Sequence, residues 1–518
     1  MRHIPSAMAT QHPDNARAPF WDKQGDAFIS SREETLECVK CFEELGVGEF
    51  MWDWEGKYAD EAVVDRLFGE FHEYFKKHKL GKDIFLTFRI PNVWKEKGHS
   101  LLRALMVVLT AEDFARDLKF HVPPLFELIL PMTEKPEELM YIKSSFRKLA
   151  RFKTETFNHR SGVNMEQLDM IPLVENVERQ LGVGSLLARY IDLHKKEFKS
   201  KPVYIRPFLA RSDPALVSGI VSTVLANKIA LSDIREVGER EKVRMFPILG
   251  AGSLPFRGGL NPDAIDSFAS EYKGVRTVTI QSAFRYDYNF EAAAAAVEKL
   301  NTLLPKSAPG SVSEKDRAVL LSIIKQFEAS YAHTLQSIAG DMEQFFRAVP
   351  RRRERRQHIG LLRYARQMGK LELPRAINFT AAFYSIGIPP EFLGLRALKD
   401  LSPEAMKLLF RYYRNIEADL KTAGAFVNKE NLKRLIKQNP AWARVEEDLG
   451  VVESIFGFEL GPRSKSELMH ERLSSSVFAL PRHSARLAGA FGEVQASDGG
   501  SRLSGLITET GVLRKSLG

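Results

Sequence analysis

Along the first 280 residues, short and almost continuously apolar segments recur, each followed by a longer stretch whose apolar positions repeat with helical spacing. Residues 49–54, 84–90, 125–130, 203–209, 244–249 and 276–280 are rich in Val, Ile, Phe and Trp. That composition suits strands buried on both faces. Residues 61–77, 99–119 and 173–196 carry the 3.6-residue period between them. The alternation predicts parallel β/α units.

Charged and glycine-rich positions gather where these strands end. Asp53, Trp54 and Glu55 close the first, Arg89 and Asn92 the second, and Glu127 falls within the third; Arg211 and Asp213 follow the fourth. A glycine-rich stretch at 250–259 follows the fifth, and Gln281 to Arg285 the sixth. A β/α barrel builds its active site on that edge. A doubly wound open sheet uses the same edge, and the barrel is the preferred of the two. From Phe290 onward helical periodicity dominates, at 291–301, 313–349 and 402–449. The fold class read from the pattern is therefore α/β, a TIM-type β/α barrel with a large additional α-helical portion. Residues 1–290 are expected to hold the strands and an N-terminal active-site loop. Residues 291–518 are expected to pack on the barrel and form subunit contacts, in one integrated catalytic domain. The tail at 488–518, rich in Gly and Ser, is read as mobile or as ordered only at an interface.

Composition narrows the setting. With 44% hydrophobic and 27% charged residues, the 518-residue chain has ordinary globular values. No unbroken apolar run of about 18 residues occurs, and the polar first 15 residues lack the apolar core of a signal peptide. The expectation is a cytoplasmic protein without a membrane span. The two cysteines, Cys38 and Cys41, have the spacing of a redox or half-zinc motif, but their neighbours follow a helical apolar pattern. A structural role is the preferred reading. The net charge of +9 would attract nucleic acid or an anionic metabolite alike. The run Arg351-Arg352-Arg353-Glu354-Arg355-Arg356 has no aromatic company, so it is read as a solvated face or a subunit contact and no nucleic-acid partner is expected.

Candidate chemistry begins with absences. The chain has neither a P-loop nor a Rossmann glycine fingerprint. Ala405-Met406-Lys407 resembles part of a biotin-attachment tetrapeptide, but Leu408 replaces the second Met and the setting is helical. Arg257-Gly258-Gly259, after Gly250-Ala251-Gly252-Ser253, offers amides and a guanidinium to an anion. Arg89, Arg285 and Arg375 sit at predicted strand ends or loop-helix junctions and would complete a phosphate and carboxylate clamp if they converge. Glu127 lies within the apolar run 123–130, where an unpaired carboxylate is costly. A metal ion or an arginine partner would resolve that cost, and Glu127 with Asp213 would suit Mg2+ or Mn2+. His12, in Gln11-His12-Pro13-Asp14, is either an exposed terminal histidine or, in a placed loop over the barrel mouth, a general base.

Taken in order, these fragments resemble phosphoenolpyruvate carboxylase, in its short archaeal-type branch. Gln11-His12-Pro13-Asp14 resembles the family's catalytic-histidine segment, and Phe88-Arg89-Ile90 its Val-Arg-Gln segment. Pro124-Leu125-Phe126-Glu127 is similar to Pro-Leu-Phe-Glu-Thr with one metal ligand, and Arg211-Ser212-Asp213 to Tyr-Ser-Asp-Ser with the other. Phe256-Arg257-Gly258-Gly259 resembles half of the glycine-rich loop, and Val278-Thr279-Ile280-Gln281 with Arg285 resembles Val-Thr-Glu-Gln-Gly-Glu followed by Arg. Leu373-Pro374-Arg375-Ala376-Ile377, running to Pro390-Glu391-Phe392-Leu393-Gly394, is similar to Leu-Arg-Ala-Ile-Pro running to Leu-Gly. Leu249 and Ala251 stand where the longer enzymes have the first His and Arg of the glycine-rich loop, and Ser516-Leu517-Gly518 departs from their Asn-Thr-Gly end.

The resemblance implies irreversible carboxylation of phosphoenolpyruvate by bicarbonate to oxaloacetate and phosphate, supplying four-carbon acids to the citric acid cycle. It implies Mg2+ or Mn2+ on Glu127 and Asp213, neither ATP nor biotin, and a homotetramer built as a dimer of dimers. His12, Arg257, Arg89, Arg375 and Arg285 are the implied catalytic residues, with Arg257, Gly258, Gly259 and Arg375 holding substrate. The competing readings are another metal-dependent barrel lyase or mutase acting on enol phosphates or 2-oxo acids, and a basic nucleic-acid-binding protein.

Overall fold

Period-two alternation sorts the strand side chains between two environments. In the computed structural model, which describes residues 2–55, 60–95, 98–157, 168–354, 366–369, 371–491 and 494–518, eight parallel strands close into a barrel. They are β1 (Ala7–Thr10), β2 (Glu49–Asp53), β3 (Phe85–Arg89), β4 (Glu127–Leu130), β5 (Asp169–Val174), β6 (Phe208–Ala210), β7 (Ile248–Gly250) and β8 (Thr277–Ile280). Each pairs with its neighbours in chain order. Ala9 lies opposite both Ile280 and Phe50, so β1 closes the ring between β8 and β2.

The inward positions fill the barrel in layers, as in barrels of this type. Met8, Met51, Ile129, Ile171, Leu173, Phe208, Ala210 and Ile248 form one apolar cluster. Residues between them on the same strands, such as Phe50, Trp52, Leu128, Met170 and Val174, belong to the outer core under the helices. Two residues before the apolar layer, at the amino end, lies a buried ionic layer. Arg206 donates to Glu49 (2.9 and 2.6 Å) and to Glu127 (2.6 Å). Tyr204 donates to Glu127 at 2.6 Å, and Arg2 reaches the same carboxylate at 2.7 Å. Two residues after the apolar layer, at the carboxyl end, stand Asp53 and Glu175.

Helices cover the barrel and extend beyond it. Ser212–Glu241 is, among the described residues, the one helix long and apolar enough to cross a membrane, and 89% of its apolar window is buried within this fold. It packs against the long helix Glu314–Ala348. At Gly219 (φ 78°) it breaks, and a Cβ there would sit 3.0 Å from the Tyr331 ring. Further helices, Ala376–Ser385 through Val494–Leu513, share a second apolar core with these two.

Several expectations need correction. The first 15 residues contain a barrel strand, because Ala7, Met8 and Ala9 are small or flexible enough to be fully buried without a long apolar run. The helix expected over 173–196 begins later. β5 runs to Val174, and helices Val177–Leu181 and Val183–Phe198 follow. The segments 203–209 and 244–249 are each split at a proline, giving Tyr204–Ile205 before β6 and Arg244–Met245 before β7, since Pro207 and Pro247 have no N–H for the ladder. The tail is helical over Val494–Leu513 and packs on Lys465–Phe491 of the same chain. Met406 and Lys407 lie in the helix Pro403–Tyr412, as their setting predicts. Cys38 and Cys41 are buried in the helix Glu34–Glu43, and burial pushes the Cys41 thiol up to about 11. That is the environment of an inert thiol.

Candidate active site

At the carboxyl ends of the strands opens a cavity of about 580 Å3. His12 reaches it from the loop after β1, Glu55 from β2, Arg89 from β3, Glu175 from β5, Ser212 and Asp213 from β6, Arg257 from the loop after β7, and Gln281 from β8. Arg351, Arg352, Arg353 and Arg375 complete its wall from the helical half. The lining thus combines carboxylates with guanidinium groups.

The loop bearing His12 is placed. Its Nδ1 lies 2.8 Å from Thr10 Oγ1. Asp14 accepts the Ala283 amide at 2.8 Å, and Asp287 accepts the Ala16 amide at 3.0 and 2.8 Å and that of Arg17 at 2.6 Å. Burial lifts the Asp287 carboxyl to about 7 against the pull of those amides. Its folded value lies above the ordinary 3.8, so its contribution to stability is fully present below that value and is lost as pH rises through about 7. Asp287→Asn is therefore expected to flatten the decline in thermal midpoint between about pH 5 and 8. Parallel melting profiles for the two proteins would remove Asp287 as the titrating group.

Arg257 is almost wholly buried, at 1% exposure. It ion-pairs with Asp14 at 3.0 Å, donates to Ser212 Oγ at 3.2 Å, and also holds Gln281 and the Gly518 carbonyl. Leu517 donates its amide to Asp14 at 2.7 Å, so the tail buttresses this arginine. The glycines around it serve its side chain. A Cβ on Gly252 would meet the Arg257 guanidinium carbon at 2.9 Å, and Gly258 takes φ 124° against Ala251. The amides expected to cradle an anion are consumed within the loop: Gly258 donates to Pro255 at 2.9 Å and Gly259 to Leu254 at 3.0 Å. Gly258 and Gly259 do not line the cavity, which corrects their expected contact with substrate.

Arg89 lines the cavity with its charge already engaged. It holds both Asp53 oxygens at 2.8 Å and Glu55 at 2.8 Å. Arg285 does not reach the cavity. It is fully buried behind it, donating to Thr10 O (2.6 Å), Glu37 (3.1 Å) and Cys41 Sγ (2.9 Å). A catalytic place for Arg285 is accordingly corrected to a structural one. Burial pushes the shared Glu37 carboxyl up, but Arg353 and Arg285 overturn that and hold it at about 2.

Glu127, expected as a metal ligand, is likewise absent from this cavity. Its oxygens belong to Arg206, Tyr204 and Arg2 at the opposite end of the barrel. On β4 the inward sequence runs Glu127, Ile129, whereas on β5 it runs Ile171, Leu173, Glu175. The alternation puts Glu127 below the apolar layer and Glu175 above it, on the cavity that Asp213, in the first turn of the helix Ser212–Glu241, also lines. The overlooked signal was Pro172-Leu173-Val174-Glu175, which repeats the Pro-Leu-x-Glu pattern of residues 124–127. Among the described residues no group of three or more His, Cys, Asp and Glu is arranged to hold a metal. The two carboxylates Glu175 and Asp213 fit a cation that takes its remaining ligands from water and substrate.

In the arginine run, Arg351 is exposed as a solvated face requires, but the next two residues are not. Arg352 and Arg353 are buried, and backbone bonds Ile29 N to Arg352 O (3.0 Å) and Glu354 N to Ile29 O (3.3 Å) zip the run to residues 28–29 beside the cavity. Arg355 and Arg356 lie outside the described residues. Arg353 grips Glu37 at 2.7 and 2.6 Å. Arg352 reaches only Ala16 O and Thr508 Oγ1, its Nε has no partner, and it pairs with no carboxylate among the described residues.

Residues 4–518 match the family model described as phosphoenolpyruvate carboxylase. The chain is 46% identical over 477 residues to the phosphoenolpyruvate carboxylase of Leuconostoc mesenteroides, covering 92% of this chain and 94% of the relative. It is 43% identical over 479 residues to that of Oenococcus oeni and 37% identical over 490 to that of Metallosphaera sedula, with the same coverage of each. A closed β/α barrel whose cavity is lined by arginines and carboxylates, and relatives of matching length, agree: the chain belongs to the phosphoenolpyruvate carboxylase family.

Proposed function

We propose that this cavity carboxylates phosphoenolpyruvate with bicarbonate, giving oxaloacetate and phosphate by way of carboxyphosphate and an enolate. The observation that carries the reading is the gathering of carboxylates and guanidinium groups around one cavity at the carboxyl end of the barrel. A trianionic substrate needs cations on one side and, on the other, a divalent metal. Glu175 and Asp213 would hold that metal, Mg2+ or Mn2+, through hard oxygen donors. When bound it supplies Lewis-acid stabilisation to the enolate oxygen as phosphate leaves.

The remaining work falls to the chain's own side chains. Arg257, Arg351, Arg352 and Arg375 bind the phosphoryl group as it passes to bicarbonate, and Arg352 is the sharpest of these because, among the described residues, its buried charge has no carboxylate partner. Arg89, tied to Asp53 and Glu55, fixes the acidic wall. In the tautomer protonated on Nδ1, which would donate to Thr10 Oγ1 2.8 Å away, His12 takes the carboxyphosphate proton on Nε2, releasing CO2 beside the enolate. The zipped segments 28–29 and 349–354 cover the cavity and protect the enolate from protonation to pyruvate.

A cytoplasmic enzyme supplying four-carbon acids fits its product and its two unpaired buried thiols. A homotetramer is supported by Phe410, Ile455, Leu468 and Met469, large apolar side chains exposed on the helical half. Oxaloacetate formation from phosphoenolpyruvate, bicarbonate and Mg2+, without ATP or biotin, tests the activity in a coupled malate dehydrogenase assay. Turnover of phosphoenolpyruvate that ignores bicarbonate would instead favour a lyase or mutase.

A further inference from the structure

Phe256, the residue before Arg257, is held from two sides by groups that the proposed chemistry leaves unused. Its amide donates to Glu391 Oε1 at 2.8 Å. Its carbonyl accepts from Arg211 Nη1 at 3.3 Å, and the Pro255 carbonyl accepts from Nη2 at 3.4 Å. Its ring stacks on Phe379, with centroids 5.7 Å apart and planes at 25°. Phe379 lies in the helix Ala376–Ser385, whose preceding residue is Arg375. Phe256 therefore joins the backbone of one cavity arginine to the helix that carries another.

Glu391 has little freedom of its own. It sits in the turn Pro390–Phe392 directly after Pro389, where two proline rings fix the backbone. Just beyond, Asp448 accepts the amides of Gly394 and Arg396 at 2.8 and 2.7 Å, and a Cβ on Gly394 (φ 85°) would meet Tyr331 N at 2.6 Å. Tyr384 donates its hydroxyl to the same Glu391 oxygen at 2.5 Å. Glu391 is fully buried, and Oε2 has no hydrogen-bond partner. A buried carboxylate with an unsatisfied oxygen is costly, so packing alone does not account for it. What it supplies is an acceptor for an amide at the start of the turn Pro255–Arg257, where short helical turns leave donors without an internal partner.

We propose that Glu391 is a positioning residue for the Arg257–Arg375 pair: by accepting the Phe256 amide it sets where the Arg257 guanidinium stands relative to Arg375, acting through the loop. This rests on the reading of Arg257 as a ligand of the phosphoryl group.

Two variants and a cycle test it. Glu391→Leu removes the acceptor and is expected to raise the KM for phosphoenolpyruvate and lower kcat/KM by about 10- to 100-fold, the effect of a displacement near 1 Å at a binding group. Glu391→Gln keeps a carbonyl acceptor of the same size and should restore most of that loss. Should the Leu variant not fold, Tyr384→Phe, which frees the shared oxygen from its second donor, takes its place with a smaller shift of the same kind. In the background of Arg257→Lys, the Glu391→Leu effect is expected to shrink, because both act on one guanidinium. Wild-type kinetics in a folded Glu391→Leu protein, effects that simply multiply, or a Gln variant as impaired as Leu would each overturn the positioning role. An Arg257→Lys protein with an unchanged KM would sink the reading of Arg257 and this proposal with it, an outcome distinct from the other three.

Discussion

Replacing His12 by Asn is expected to lower kcat for oxaloacetate formation by about 10²- to 10⁴-fold, the range a positioned general base contributes, with little change in the KM for phosphoenolpyruvate. The reasoning separates binding from proton transfer. Arg257, Arg352 and Arg375, proposed to hold the anion, stand on elements other than the His12 loop. The loop itself is pinned after the substitution by the bonds of Asp14 and Asp287 to backbone amides and before it by Gln11, which accepts the Asp53 amide at 3.0 Å. Asn retains a group able to meet Thr10 Oγ1 but has no basic nitrogen near neutral pH. Steady-state kinetics with a thermal melt on the same preparation would separate the effects. Full carboxylation by a folded His12→Asn protein would remove His12 as the base.

Six of the eight barrel strands were legible because a strand buried on both faces must be apolar almost throughout, and that leaves a mark in any single sequence. The two that escaped show the limits of that mark. β1 uses Ala7, Met8, Ala9 and Thr10, whose small side chains fit the crowded closure between β8 and β2 without raising local hydrophobicity. β5 reads into its following helices, and its Pro172 obscures the pattern. Missing β5 has a consequence at the site, since Glu175 follows its last residue, Val174, and is hidden with it. Side-chain partners were illegible for a different reason. Arg285 and Arg353 are both engaged by Glu37, which lies 248 and 316 positions away in the chain and is placed by tertiary packing. A run of arginines looks solvated until the fold supplies the carboxylate for one and withholds it from the next.

The two Pro-Leu-x-Glu segments provide a crossed test with opposite outcomes. Glu175→Gln is expected to raise the Mg2+ or Mn2+ concentration needed for half-maximal activity by at least about 10-fold, the scale at which perturbing even the surroundings of a metal site is felt, with a modest effect on thermal stability. Glu127→Gln should leave the metal titration unchanged and lower stability by about 3–5 kcal/mol, the cost of breaking a buried ion pair. The asymmetry follows from position. Glu127 sits 2% exposed beneath the apolar layer and shares Arg206 with Glu49, so neutralising it leaves a network built for two carboxylates with one. Glu175 stands above that layer and lines the cavity. Metal titrations of activity and denaturant unfolding of both variants decide the matter. An unchanged metal requirement in Glu175→Gln, together with a weakened one in Glu127→Gln, would reverse the barrel's functional end and with it the whole placement of the site.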